Sequence, residues 1–574
     1  MDNTKEPSDV TSLGGEVDRA LLSVGRYSRR RICAGLMVSL THWPLLVYGS
    51  LAFVFTGETL PHNCKVPPAV NISTYIPKEV HSGEEVYSQC KKFATNSTNV
   101  TVPCGPEGWE YDNPGGEHTI VSQWDLVCER DYLSELAQTI YFAGTMLGYL
   151  VAGPTPDRFG RKKIFHVSSV STAVVATAMA FAPSIVVYFV FKFLVGLCTA
   201  FALTGWVWVC EMFPSKSRSN IAINTQMMYP VGWMLLTLFA YFFRTYWHLL
   251  LVCYVPVTLS VALIWFVPES IPWLFANNRH EEAIKILRRE GGDPAILDSI
   301  EKKHMDRKDT VAEKMNKPPK AREISTISDH SSSDGNVTIA SASEDAKYNF
   351  FDLFKSRVLV VHTLVAGYCQ FTNALVYLAL SFISVKLAGD KFANFLLSGL
   401  VEIPATFLCA FFVTRVGRKW PLVTALICCG VFILPAPFVP EKTDTGVNLV
   451  PLIITIVMVA KAAITFSYIN TDYFLSELYP TTLRNIGGSL VVFLSRPAEL
   501  MSPFLVYLER IRPWIPQVVC GILAATAGLL ALLLPETKGR PLAATIQDIE
   551  EIALIKTKKS HKRNQENENH ITHL

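Results

Sequence analysis

What most constrains this chain is the spacing of its apolar residues, which come in runs of roughly 20 broken by short basic clusters. A helix of that length spans the hydrocarbon core of a bilayer. A backbone in lipid must satisfy its own hydrogen bonds, so each run is expected to be a helix. Twelve candidate runs fall at 32–55, 133–152, 164–182, 185–209, 219–243, 247–267, 357–385, 393–413, 420–438, 449–474, 485–508 and 514–534. Composition agrees: of 574 residues 50% are hydrophobic and 18% charged, where a soluble chain would carry about a quarter charged. A net charge of only +3 gives no reason to expect a nucleic-acid partner. The N-terminus, MDNTKEPSDV, is polar and shows no apolar core before a small-residue cleavage site. The first span is therefore expected to act as the insertion signal.

Short loops set the orientation. Arg29, Arg30 and Arg31 precede the first run; Arg158, Arg161, Lys162 and Lys163 lie between the second and third; Arg415, Arg418 and Lys419 lie between the eighth and ninth. Twelve spans put all three clusters on one face, which is expected to be cytoplasmic together with both termini. The layout is then a cytoplasmic N-terminus (1–31), an N-terminal six-helix half (32–267), a cytoplasmic linking loop (268–356), a C-terminal six-helix half (357–534) and a cytoplasmic tail (535–574).

The loop 56–131 would be extracellular. It holds Cys64, Cys90, Cys104 and Cys128, enough for two disulfides in an oxidising compartment, with three pairings open. It also holds three glycosylation sequons, beginning at Asn71, Asn96 and Asn99, which are acceptors only on the lumenal side. The linking loop opens with a surface-helix pattern, Glu281-Glu282-Ala283-Ile284-Lys285-Ile286-Leu287-Arg288. Its 321–346 stretch is rich in Ser, Asp and Glu and reads as disordered linker, with a phosphorylation-tuned segment as the alternative. Asn336 in that loop is expected to stay unmodified.

Three short signatures occur twice in the same order. Asp157-Arg158-Phe159-Gly160-Arg161-Lys162 is echoed by Arg415-Val416-Gly417-Arg418-Lys419. Glu211-Met212-Phe213-Pro214 with Arg218 is echoed by Glu477-Leu478-Tyr479-Pro480 with Arg484, and Pro268-Glu269-Ser270 by Pro535-Glu536-Thr537. Three echoes in register indicate a duplicated six-helix unit. Two such halves related by parallel repetition make the major facilitator architecture, which rocks about a site near the membrane midplane. Breakable ion pairs at helix ends suit a gate, so Asp157, Arg158, Arg161, Glu211, Arg415, Arg418, Glu477 and Arg484 are candidate gating residues. Positive-inside orientation alone would not require Glu211 and Glu477.

From about residue 25 to 550 the chain resembles solute carrier family 22, the organic ion transporters. The resemblance rests on the cysteine-bearing first loop, on Trp124-Asp125-Leu126-Val127-Cys128 and on the Asp157–Lys162 turn. It rests further on Pro268-Glu269-Ser270-Ile271-Pro272-Trp273-Leu274, on Val401-Glu402-Ile403-Pro404-Ala405, and on Glu477-Leu478-Tyr479-Pro480-Thr481 with Arg484-Asn485. Sugar porters share the Pro268 and Pro535 signatures but lack the large first loop. The chain departs from the family's pattern at Pro154 and Pro156, at Ile271 and Pro272, and in having four loop cysteines where relatives often have six. The resemblance implies an all-α membrane protein of the major facilitator fold.

Charged side chains in mid-span are costly and point to function. Glu402, Lys461 and Arg496 fall near the bilayer centre, with Glu499 one turn beyond Arg496. They either pair with one another or leave a cation free for a substrate carboxylate, a task for which the arginine fork is suited. The resemblance implies that an arginine at position 496 goes with carnitine-type and anion-transporting members, and that Tyr377 is a substrate-contact position. Aromatic faces bind quaternary ammonium groups. Trp206, Trp208, Tyr229 and Trp233 are weaker candidates for that role, since interfacial anchoring also explains them.

The substrate-binding set is thus Tyr377, Glu402, Lys461 and Arg496. The expected function is alternating-access transport of small organic ions across the plasma membrane, carnitine-like zwitterions and organic cations first. The alternatives are organic anion transport and a non-transporting receptor on a transporter fold. No metal-ligand cluster, nucleophile–base motif or nucleotide-binding glycine loop suggests an enzyme, a cofactor or a metal. Expected partners are a small organic ion, membrane lipid and, left open, a coupling ion and a second copy meeting through the extracellular loop.

Overall fold

A computed structural model describes residues 13–538, apart from 304–352 and short loop gaps at 26–27, 69, 82–83, 95–96, 106–107, 114, 263–265, 444–445 and 481–482. The 321–346 stretch, Asn336, Asn96 and Thr481 lie outside the described residues. Twelve helical segments follow the twelve apolar runs. The first six are α1 (Arg29–Leu51), α2 (Tyr132–Ala152), α3 (Arg161–Ala180), α4 (Ile185–Ala202, continued by Thr204–Glu211), α5 (Met228–Phe242, preceded by Ser215–Gln226) and α6 (Tyr246–Tyr254, continued as 3-10 helix by Val255–Ala262). The second six are α7 (Arg357–Ser384), α8 (Lys391–Arg415), α9 (Lys419–Ile433), α10 (Val450–Leu478), α11 (Arg484–Tyr507) and α12 (Ile515–Ala531).

Eight helices among the described residues are long and apolar enough to cross a bilayer by themselves. The remaining segments are short, interrupted or, like α2 with Ser134, Gln138 and Thr145, diluted by polar residues that turn inward and are buried. Large apolar side chains such as Val174, Val190, Phe407 and Leu529 stay exposed on the outer faces. Such a surface suits lipid rather than water.

Packing repeats the duplication. Within the first half α2 lies on α4, where a Cβ at Gly144 would come 2.2 Å from the Phe193 carbonyl oxygen and one at Gly196 2.2 Å from that of Tyr141. Small residues thus let the backbones touch, as membrane helix pairs favour. In the second half α7 packs on α11 and α9 on α12. The halves meet through α2 with α11 and α5 with α8. These two contacts exchange when six is added to or taken from each helix number, as a two-fold relation between the halves demands.

At one end of the bundle the 57–131 segment forms three two-stranded antiparallel ribbons. Disulfides Cys64–Cys104 and Cys90–Cys128 select one of the three pairings open from sequence. At the other end a helix Leu13–Ser23 packs Val17, Ala20 and Leu21 against Leu274, Ile284 and Leu287 of the linking segment. The expected surface helix is there, at His280–Arg289, with Ala283, Ile284 and Leu287 buried.

Candidate functional site

The duplicated signatures build the same network twice. In the first half Arg161 reaches Asp157 at 2.6 Å and Glu211 through Nε at 3.1 Å, and its Nη1 donates to the Pro156 carbonyl at 3.1 Å. The Ser270 hydroxyl donates to Glu211, while Glu269 accepts the Lys162 backbone N–H at 3.0 Å. In the second half Arg418 meets Glu477 at 2.6 Å and donates to the Val413 carbonyl at 3.0 Å. The Thr537 hydroxyl donates to Glu477 at 2.7 Å, and Glu536 accepts the backbone N–H groups of Arg418 and Lys419 at 3.0 and 3.2 Å.

The carboxylates of Glu269 and Glu536 therefore sit at the N-termini of α3 and α9, where the helix dipole favours a negative charge. Burial alone would raise the Glu536 carboxyl, but backbone donation from Arg418, Lys538, Lys419 and Thr537 outweighs it and holds the group below the usual carboxylate range. Glycine is required in both turns. Gly160 (φ +100) and Gly417 (φ +132) adopt left-handed backbone, and a Cβ there would come 2.6 and 2.8 Å from the facing glutamate oxygen.

Not every candidate gating residue joins these networks. Arg158 and Arg415 lie over their neighbours Phe159 and Phe411, at 5.5 and 5.4 Å. Arg484 buries its Nε and Nη2 without a hydrogen-bond partner among the described residues. Glu269, Ser270, Glu536 and Thr537 were absent from the candidate set, although the repeated Pro-Glu-Ser/Thr signature marked their positions.

Deep in the bundle, Lys461 and Glu402 form an ion pair at 3.2 Å, with side chains only 1% and 3% exposed. Lys461 also donates to the Ser381 hydroxyl at 2.7 Å, and its ammonium lies 3.3 Å from the Tyr377 ring centroid and 4.9 Å from that of Trp233. The Tyr377 hydroxyl donates to Glu402 at 2.6 Å. Three of the four predicted substrate residues thus form one sealed cluster.

The fourth, Arg496, pairs with Glu499 and lies 4.4 Å over the Tyr149 ring of the opposite half. Its Nε is buried without a hydrogen-bond partner among the described residues. Trp233 closes the α5–α8 contact by donating to the Phe395 carbonyl at 2.8 Å, and Tyr229 stands 6.4 Å from Tyr377. Trp208 is buried and donates to the Pro268 carbonyl at 3.2 Å.

Charged residues beyond those marked by the sequence also lie inside the spans, Lys192 and Asp472 among them. Lys192 on α4 is 2% exposed, with its ammonium 5.6 Å from the Tyr141 ring. The mid-span charge rule would have found it. Asp472 on α10 accepts from Gln370 Nε2 at 3.1 Å; it lies two residues from the end of the 449–474 run, where position alone does not mark a charge as costly.

Ion pairs that bridge the two halves lie at the disulfide-bearing face. Lys391 joins Glu58 and Glu117, each at 2.8 Å, and Arg510 joins Asp131, which also accepts from the Tyr507 hydroxyl at 2.8 Å. Phe55 stacks on Phe392 at 5.4 Å beside them. Burial raises the Glu58 carboxyl above its ordinary value, Lys391 opposes the shift and the Glu117 charge adds to it. The two Arg–Glu networks, in contrast, each lie within one half.

With this geometry in view, the comparisons with known proteins are consistent. The family model described as "Sugar (and other) transporter" matches residues 87–548. The Drosophila melanogaster "Organic cation transporter protein" is 32% identical, over 79% of this chain and 77% of its own length. The human "Organic cation/carnitine transporter 2" is 29% identical, over 90% and 91%. "Organic anion transporter 3" of Oryctolagus cuniculus is 30% identical, over 90% of each. Among solved structures, the xylose transporter XylE from E. coli in a partially occluded inward-open conformation superposes with a TM-score of 0.57 at 15% identity, covering 89% of this chain and 99% of that one. That likeness establishes the fold.

Proposed function

Since the chain belongs to the sugar (and other) transporter family of the major facilitator superfamily, and within it to solute carrier family 22, we propose that it carries carnitine-like zwitterions and organic cations across the plasma membrane. The halves, taken as 32–267 and 357–534, rock against each other to expose the cleft to either side in turn. The observation that carries this reading is Arg496. It is an arginine at membrane depth, stacked across the interface on Tyr149 and keeping an unpartnered Nε–H, next to aromatic rings suited to an ammonium group.

Orientation follows from chemistry. The disulfide ribbons and the sequons at Asn71 and Asn99 suit the extracellular side, and the basic turns and both termini the cytoplasmic side. The state described is then shut outside by Glu58, Glu117 and Asp131 against Lys391 and Arg510. The networks at Arg161 and Arg418 serve as the cytoplasmic switch.

Transport of organic anions is the second reading, favoured by Arg496 and by the rabbit relative. A non-transporting receptor would have no use for two intact copies of the switch network. Uptake of labelled carnitine, tetraethylammonium and benzoate, with and without Na⁺, tests the proposal. Carnitine or tetraethylammonium uptake above that of vector-only cells supports it; uptake of benzoate alone establishes the anion reading, and uptake of none refutes transport of these classes.

A further inference from the structure

The charges that α8, α10 and α11 carry inside their spans do not all pair. Glu402 is matched by Lys461 and Glu499 by Arg496. Asp472 has no cation within ion-pair distance among the described residues; its one hydrogen bond comes from the neutral amide of Gln370. Asp472 is an exposed residue of α10 whose carboxylate meets Gln370 of α7 and lies within electrostatic reach of Arg496 of α11. It is thus turned toward the neighbouring helices rather than away from the bundle.

Gln370 is itself 2% exposed, and its Oε1 is buried with no hydrogen-bond partner among the described residues. A buried amide that spends its donor on one carboxylate oxygen and leaves its own acceptor orphaned is a costly way to make a merely structural contact. A carboxylate with one neutral donor keeps most of its lone-pair sites available. One turn back on the same helix, Tyr468 packs edge-on to Tyr377 at 5.9 Å, so a cation at Asp472 has an aromatic wall toward the Lys461 cluster.

We infer that Asp472, held by Gln370, is the cation-recognising carboxylate of the cleft. It takes the ammonium group of a substrate whose carboxylate, where there is one, is taken by Arg496. The inference rests on the transport reading above and deepens it. A zwitterion would engage both Asp472 and Arg496, on neighbouring helices, and a simple organic cation needs only Asp472.

The test uses the full-length chain in cells, with surface protein quantified, and compares tetraethylammonium with benzoate. Asp472→Asn is expected to raise KM for tetraethylammonium about tenfold or more, as loss of a desolvated charge partner does, and to leave KM for benzoate unchanged or lower. Asp472→Glu should retain most of the cation affinity. Gln370→Leu, which keeps the carboxylate but releases it, should raise the tetraethylammonium KM by a smaller factor and serves if Asp472→Asn fails to reach the surface. A wild-type chain that carries tetraethylammonium, with unchanged KM in Asp472→Asn or, failing its expression, in Gln370→Leu, overturns the inference and leaves the transport reading intact. A wild-type chain that carries benzoate and no cation overturns the inference together with the cation reading.

Discussion

Replacing Lys461 by Met keeps a stem of similar length and removes the charge from one of the most enclosed sites in the protein. The substitution leaves Glu402, 3% exposed, with only the Tyr377 hydroxyl at 2.6 Å as an identified partner. It also removes the donor to Ser381 and the ammonium from between the Tyr377 and Trp233 rings. Orphaning one member of a buried ion pair costs about 3–5 kcal/mol, or roughly two to four powers of ten in the folded-to-unfolded ratio. The companion change Glu402→Gln removes the orphaned charge and keeps an acceptor for Tyr377. Lys461→Met/Glu402→Gln should therefore return to within about 1–2 kcal/mol of wild type, the residue being the lost hydrogen bond to Ser381. Thermal unfolding of the purified protein, followed by tryptophan fluorescence, measures all three variants on one scale. Uptake by the double variant then asks whether Lys461 contacts substrate or only holds α7, α8 and α10 together. Wild-type stability in Lys461→Met, or a double variant no more stable than the single, would refute the reasoning.

Three further outcomes are expected. Arg161→Ala and Arg418→Ala should each cut the uptake rate per molecule at the cell surface, because these pairs at helix ends act in switching between states; normal turnover in both would reduce the networks to orientation signals. Because burial raises the Glu58 carboxyl in the externally shut state, that state is most favoured below the ordinary carboxylate pKa, and the preference is lost as pH rises through the raised value; uptake rate should rise with external pH over this range, and a Glu58→Gln variant with the wild-type pH profile would remove Glu58 from the cause. Substituting Asn71, Asn96 and Asn99 together should abolish the glycan mass shift; a shift that survives and maps to Asn336 would invert the proposed orientation.

Much of the architecture was legible along the chain because the bilayer acts as a local constraint. Each span must be apolar over its own length, whatever its neighbours are, so the twelve runs reappear as α1–α12 in order. The duplication was equally legible, since the turns at Gly160 and Gly417 depend on a few adjacent residues and reproduce one geometry. Arg496, Lys461 and Glu402 stood out because a charge in lipid is costly wherever it occurs. The same rule covered Lys192, which was passed over.

Charge pairing, however, is not a local property. Glu402 and Lys461 meet across 59 positions and Gln370 and Asp472 across 102, and no periodicity announces either contact. Sequence alone left three disulfide pairings open, and only the folding of the 57–131 ribbons brings Cys64 to Cys104 and Cys90 to Cys128. It also could not show that Lys461 is sealed while Asp472 stays exposed. Apolar spacing determined how many helices cross the membrane, because lipid tests each segment separately. The tertiary structure decided which of the described charges pair, because compensation at a few ångströms depends on which helices are neighbours.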